Sequence, residues 1–387
     1  MAKLVFAENE YFLRGHWDED LELGEEPILI DPKWKNTNLV SEIESAPNYL
    51  FGETKGKFWI ATSGSTGLPK LIQKDKYQLL AEVQLWLEKS ESLLGWTLSK
   101  EDRFIVSVPL CHLYGLIWGH ILPKAIDVSV SYVLPKDLTN VSFQNNDLLI
   151  TIPYFIKQCR TKNIPLPKRL ITSGSKFPVD LAQDIRKEGL SEVREIYGST
   201  ETGAMGYRDP LWKARYTFLP NVIPRIMYKD GEEVLKVQSE FVSSQALVAN
   251  PGSDETKKWE LKSILDFDGY FDTNDCGNFS DLGWNYFGRV DRITKIKGKR
   301  ISLDQIETFL QINNPTVDDL AVVSYPKDGD YEIGCMIISD SPIENLKSLW
   351  EKEIPNSHIP KKIVFVSSIP KLPNGKTNYL SVLRDLI

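Results

Sequence analysis

From residue 57 to residue 200, short apolar runs rich in β-branched residues alternate with amphipathic stretches. Lys57–Thr62 reads as a strand. Tyr77–Leu94 reads as a helix that gathers Leu79, Leu80, Val83, Leu87 and Leu94 on one side. Arg103–Leu110, Val128–Leu134, Leu148–Ile152 and Arg169–Thr172 continue the series of strands. A helix is expected at Val179–Lys187, then a strand at Glu192–Tyr197. This alternation predicts a largely parallel sheet covered by helices on both faces. Such sheets bind ligands in the loops beyond the carboxyl ends of their strands. Two glycine-containing loops, Ser63–Lys70 and Gly198–Gly206, are expected there. Residues 1–50 are acidic and aromatic with little periodicity, which predicts a segment packed on the surface of the domain formed by the later strands and helices.

Beyond about residue 215 the texture changes to strand and turn, with Pro220, Pro224, Asp230-Gly231 and further turn residues between 268 and 275. A β-rich subdomain is expected there, with Asp275 in a turn. A boundary near Asp291 precedes helices at Ile306–Ile312 and Ile343–Trp350 and strands at Ala321–Tyr325, Gly334–Ile338 and Ile363–Val366. The predicted fold class is α/β: a large N-terminal domain of mostly parallel sheets with helices plus a β-rich subdomain, then a small α+β C-terminal domain. The two are expected at residues 1–290 and 291–387.

With 387 residues, 42% of them hydrophobic and 26% charged, the chain has ample material for more than one core. Its net charge of −7 argues against a general nucleic-acid or anionic-membrane surface. No apolar run approaches the roughly 20 residues of a membrane span. The N-terminus turns acidic before any signal-like stretch develops, and Cys111, Cys159, Cys276 and Cys335 are widely separated. A cytoplasmic protein without disulfides or a zinc knuckle is expected.

The segment Thr62-Ser63-Gly64-Ser65-Thr66-Gly67-Leu68-Pro69-Lys70 comes directly after a strand. Glycines admit backbone N–H groups close to an anion, hydroxyls add donors, and lysine adds charge. It is not the usual P-loop, and the one Gly-Lys-Thr, Gly375–Thr377, has Pro370 where the first glycine of that pattern belongs. Further along stand Tyr197-Gly198-Ser199-Thr200-Glu201-Thr202-Gly203, Asp275, and Gly288-Arg289-Val290-Asp291. After these come Lys295–Ile301 and Pro370-Lys371-Leu372-Pro373-Asn374-Gly375-Lys376-Thr377. In order and approximate spacing these motifs resemble the core motifs of the adenylate-forming superfamily, over roughly residues 57–380. That superfamily holds acyl-CoA and aryl-CoA synthetases, peptide-synthetase adenylation domains and luciferases.

The resemblance implies activation of a carboxylic acid with ATP to an acyl-adenylate and pyrophosphate, then acyl transfer to a thiol. It assigns the β- and γ-phosphates to Thr62, Ser63, Gly64, Ser65, Thr66, Gly67 and Lys70, where donors set in advance stabilise developing charge. It places Mg2+ on Glu201, a hard oxygen ligand, and the α-phosphate near Thr200 within the Gly198-Ser199-Thr200 turn. Ser173, Gly174 and Ser175 match the adenine-side loop, with Tyr197 as the stacking ring. Asp275 and Arg289 match the ribose-binding pair, although Thr273-Asn274-Asp275 stands where Thr-Gly-Asp is frequent. Lys376 is implied as the catalytic ammonium between carboxylate and α-phosphate. Asp291 matches the hinge of a mobile small domain that alternately presents Lys376 and the loop at Gly298.

Val108–Gly115 matches the segment lining the acyl pocket, with His112 gating it. Tyr114, Ile117 and Trp118 suggest an apolar or aromatic acid and fit a core equally well; Trp86 reads as core. Cys111 has only His112 as a basic neighbour, so a nucleophilic role is not expected. The phosphate loop begins near residue 62, so a shortened N-terminal region is expected, with a homodimer as one way to compensate. Coenzyme A is favoured as acceptor over the phosphopantetheine of an acyl carrier protein. A stand-alone carrier-loading enzyme and a catalytically silent nucleotide-binding protein are the alternatives.

Overall fold

Runs of β-branched and apolar residues too short to build helices become the strands of several sheets. The structure, a computed structural model, describes residues 3–47, 50–51, 54–63, 69–133, 138, 141–190, 192–229, 231–249, 259–312, 317–339, 355–371 and 377–387. Loop residues 64–68, the predicted helix Ile343–Trp350 and Lys376 lie outside the described residues.

The first sheet contains β1 (Lys3–Phe6), β2 (Pro27–Ile30), β3 (Lys57–Ser63) and β4 (Pro69–Asp75), then Gln245–Ala249 and Trp259–Ser263, in that order. β1, β2 and β3 run parallel, and β4 returns antiparallel to β3. The expectation that residues 1–50 form a surface wrapping is therefore corrected. Pro27–Ile30 is a buried interior strand, and Phe12, Trp17 and Trp34 are core side chains. A four-residue apolar run carries no measurable period, yet it is what a strand covered on both faces requires.

The second sheet contains β5 (Arg103–Val106), β6 (Ser129–Tyr132), β7 (Asp147–Thr151), β8 (Arg169–Thr172), β9 (Glu192–Ser199), β10 (Gly203–Arg208) and β11 (Thr217–Phe218). Its order is β11-β10-β9-β8-β7-β5-β6. The five strands from β9 to β6 are parallel, and β10 and β11 add an antiparallel edge. Interior strands have apolar centres, with Leu148, Leu149, Ile150, Leu170, Ile171 and Val193 buried, while Asp147, Glu195 and Arg208 are buried charges among them.

The helix Lys76–Leu94 opens on a capping box, Asp75 accepting from the Tyr77 N–H and Gln78 from the Asp75 N–H, and closes on Gly95 at φ 88°. Leu79, Val83, Trp86 and Leu93 form its buried stripe, whereas Leu80, expected on that side, is exposed.

A four-stranded sheet has the order Ile223–Lys229, Glu232–Gln238, Phe271–Ser280, Gly283–Arg289. The chain divides into two compact units. One comprises Met1–Arg225, Lys236–Asp272 and Ser280–Trp284, the other Ile226–Leu235, Thr273–Phe279 and Asn285–Ile387. The second contains the helix Leu303–Ile312 and a sheet of Val317–Lys327, Asp330–Ser339 and Lys362–Phe365. Among the described residues, no helix is long and apolar enough to cross a membrane.

Candidate active site

In the first unit, the loops beyond the carboxyl ends of β5, β8 and β9 carry His112, Ser173–Ser175 and Thr200–Glu201 respectively. Beside them, β4 contributes two lysines. Side chains alternate along a strand, so Lys70, Ile72 and Lys74 share one face. Lys70 Nζ lies 3.0 Å from Glu201 Oε1, and Lys74 Nζ donates to the Glu201 carbonyl at 3.2 Å and the Phe241 carbonyl at 2.8 Å. The two ammonium groups thus hold Glu201 by its side chain and its main chain. Lys74 is 1% exposed. Burial lowers its pKa to about 8, against the opposing pull of Glu82 and Glu201.

Glu82, also buried, accepts from the Ala204 N–H at 3.1 Å and the Trp86 indole at 3.4 Å. Burial raises its pKa. Glu201 is only partly screened, with 19% of its side chain exposed. Burial works against its charge, but Lys70 outweighs it and the carboxyl stays below its ordinary range. Glu201 is therefore an ionised oxygen donor at neutral pH, and with the neighbouring hydroxyl-rich turn it fits a hard divalent cation such as Mg2+.

The turn that presents Glu201 is a tight hairpin between β9 and β10, shorter than the loop expected over Gly198–Gly206. Ser199 and Thr202 brace it: the Ser199 N–H donates to Thr202 Oγ1 at 3.0 Å and the Thr202 N–H to Ser199 Oγ at 3.2 Å. Gly203 has φ 67°, and a Cβ there would meet Glu82 Oε2 at 2.7 Å and Phe241 Cβ at 2.9 Å. Only glycine fits. Thr200 sits half-buried at the tip.

Thr62 donates from its hydroxyl to the Lys70 carbonyl at 3.2 Å, and Ser63 pairs with Pro69 across the same hairpin. Ser173 Oγ donates to the Ile196 carbonyl at 2.8 Å, Gly174 takes φ 86°, and Ser175 is exposed. Tyr197 stacks on Tyr216 with centroids 4.7 Å apart. Tyr216 donates to Glu195, which also accepts from Arg208 Nε at 2.6 Å.

His112 Nε2 lies 3.1 Å from Asp31 Oδ2. Burial disfavours the imidazolium, but Cys111 and Asp31 outweigh it and raise its pKa. Tyr114 donates to the Ile171 carbonyl at 2.8 Å. Ile117, Trp118 and Trp86 are core residues, Trp86 packing on Trp118 with centroids 5.2 Å apart. The choice left open for Ile117 and Trp118 thus falls to the core.

In the second unit, Asp275 lies within the strand Phe271–Ser280 and not in a turn. Asn274, at φ 57°, supplies the left-handed residue for which glycine is frequent in the resembling motif. Arg289 lies 3.7 Å from Asp275 and 3.1 Å from Asp291. Burial opposes its charge, and Asp291 and Asp275 overcome that and raise its pKa. Lys297 and Gly298, at φ 48° and 78°, turn the hairpin between Ile293–Ile296 and Lys299–Ser302. Lys371 and Thr377 bridge the two sides of the segment that contains Lys376.

A model of the AMP-binding enzymes, described as "AMP-binding enzyme", matches residues 25–245. The chain belongs to this family. Its members are ligases that form acyl-adenylate intermediates, and this AMP-binding enzyme is one of these adenylate-forming ligases. It is 22% identical over 336 residues to the 4-coumarate–CoA ligase of Cereibacter sphaeroides, a match covering 83% of this chain and 70% of that one. It is 25% identical over 370 residues to the D-alanine–D-alanyl carrier protein ligase of Bacillus cytotoxicus, covering 88% and 73% respectively. Its fold matches the o-succinylbenzoate–CoA synthetase of Bacillus subtilis in complex with its acyl-adenylate, at TM-score 0.78 and 15% identity, over 98% of this chain and 87% of that one. ATP-bound MatB of Rhodopseudomonas palustris matches at TM-score 0.68 and 17% identity, over 85% and 67%.

The sequence reading of this AMP-binding enzyme missed Lys74, Glu82 and Asp31. A lysine in register with Ile72 on a strand was a signal for Lys74; Asp31-Pro32, closing an apolar run, was one for Asp31. Glu82 sits, with Ser90, on the buried side of a mostly apolar helix face.

Proposed function

We propose that this AMP-binding enzyme activates a small carboxylic acid with ATP and Mg2+, and then passes the acyl group to the thiol of coenzyme A. The observation that carries the reading is the Lys70–Glu201 pair at 3.0 Å, held from behind by Lys74. It sets a cation for phosphate oxygens beside an ionised carboxylate for a divalent metal.

Glu201 would hold Mg2+, which supplies neutralising charge to the phosphate oxygens. Lys70 exchanges its carboxylate partner for the phosphate tail, together with Thr62, Ser63, Gly64, Ser65, Thr66 and Gly67. Thr200 faces the α-phosphate. Tyr197, backed by Tyr216, offers a flat aromatic face to the base beside Ser173, Gly174 and Ser175. Asp275 accepts from the ribose hydroxyls, with the Arg289 guanidinium 3.7 Å away. Lys376 delivers positive charge to the carboxylate as it attacks. His112 gates the acid's entry. Residues 291–387 form the moving domain, with Asp291 as hinge and Gly298 in the loop that meets the thiol.

Resemblance at 25% identity to a carrier protein ligase supports a second acceptor, the phosphopantetheine of an acyl carrier protein. Hydroxamate trapping with ATP and Mg2+ over aromatic, succinyl-aromatic and medium-chain acids identifies the acid. Product assays with coenzyme A and with a phosphopantetheinylated carrier then identify the acceptor. Thioester with coenzyme A supports the reading; thioester on the carrier alone replaces it with the second; no hydroxamate with any acid overturns both.

A further inference from the structure

Asp31, Cys111 and His112 form a compact donor cluster in the first unit; the proposed reaction gives no role to Asp31 or Cys111, and an ion bound here would hold the His112 gate in one position. One donor atom from each residue lies within 4.8 Å of the other two. The donors of a tetrahedral zinc ion stand roughly 3.3–3.8 Å apart, so small side-chain rotations close the set. Asp31 Oδ2 and His112 Nε2 are already 3.1 Å apart. The Lys33 N–H donates to Asp31 Oδ1 at 2.9 Å and orients the carboxylate from behind. Partners of that kind hold the ligands of protein metal sites in place. Asp31 and Cys111 are 3% and 1% exposed, whereas 30% of the His112 side chain reaches solvent, which leaves an entry path on the histidine side.

We propose that Asp31, Cys111 and His112 are a binding site for one divalent transition-metal ion of the zinc type, separate from the Mg2+ carboxylate Glu201. The donor chemistry selects the ion. Thiolate and imidazole suit Zn2+ and Co2+, while Mg2+ demands an oxygen-rich octahedral shell. Three protein ligands leave a fourth position for water or another exchangeable donor.

The test is titration of the full chain with Co2+ alone, read by visible and near-ultraviolet absorption, with Zn2+ and Mg2+ as competitors. The expected result is one Co2+ per chain, with tetrahedral ligand-field bands and a thiolate-to-cobalt charge-transfer band, displaced by Zn2+ and not by Mg2+. Cys111→Ser abolishes the charge-transfer band although Cys159, Cys276 and Cys335 remain. His112→Ala and Asp31→Asn weaken binding by at least about tenfold. An octahedral spectrum alone, or a charge-transfer band that survives Cys111→Ser, overturns the proposal. Where Cys111→Ser fails to fold, Cys111→Ala is expected to give the same loss of the charge-transfer band, and a band that survives it overturns the proposal equally.

Discussion

Replacing Lys74 by Met tests whether Glu201 is held from behind. The substitution keeps most of the side chain's volume and removes one buried ammonium. The Phe241 carbonyl then loses its 2.8 Å donor, while the Glu201 carbonyl keeps only the Ser243 N–H at 2.8 Å. A buried acceptor left unsatisfied costs about 1–3 kcal/mol. Breaking a buried ionic arrangement by removing one partner costs about 3–5 kcal/mol, but Glu82, whose pKa burial already raises, can take up a proton and soften that loss. A net destabilisation of about 3 kcal/mol is expected, or a fall of roughly 6–12 °C in the melting temperature of the first unit. Thermal unfolding monitored by circular dichroism measures it. Lys74→Met/Glu82→Gln is expected to melt above the sum of the single effects, since the buried carboxylate no longer lacks its counter-charge. A shift under about 2 °C in Lys74→Met, or strict additivity in the double variant, refutes the reasoning.

His120 packs on Phe12 and Trp17 with centroids 5.8 and 6.0 Å away, and burial lowers its pKa to about 4, with Asp18 pulling upward and Lys124 and Lys76 pushing downward. Between about pH 6.5 and 4 the unfolded chain takes up that proton first, so stability falls as the pH is lowered. The expected loss between pH 7 and pH 5 is about 2 kcal/mol from this residue. Denaturant midpoints of His120→Gln should be correspondingly less sensitive to pH, and an unchanged dependence contradicts the assignment. Lys376→Ala is expected to lower adenylation by about 10²–10³-fold while thiol transfer from preformed acyl-adenylate largely survives. Equal loss of both half-reactions, measured separately, contradicts the division of labour.

Most strands and two of the helices from Lys57 to Ser199 were legible because strand and helix periods alternate there, but the strand Pro69–Asp75, the helical stretch over residues 113–126 and the helix Pro153–Thr161 were not read from the sequence. Lys57–Ser63, Arg169–Thr172 and Val179–Lys187 lie within a residue of their predicted limits. The buried N-terminal strands were not legible. Pro27–Ile30 is too short to show a period, and its burial depends on pairing with Trp59 and Ile60 some thirty residues on. The motif loops were conspicuous in the sequence, where glycines and hydroxyls crowd. Their supports were not: Lys74, Glu82 and Asp31 act through contacts at sequence separations of 127, 122 and 81. Asn274 shows the same limit at one residue. A departure from glycine at the level of sequence, it reproduces glycine's positive φ in the fold.

The most direct test of the central claim is the exchange of labelled pyrophosphate into ATP, measured with and without Mg2+ and over a panel of acids. Reversible adenylation predicts exchange that requires both Mg2+ and a particular acid, and that falls about 10²–10³-fold in Glu201→Gln with the fold intact. Exchange absent with every acid, or undiminished when Glu201 loses its charge, contradicts the account.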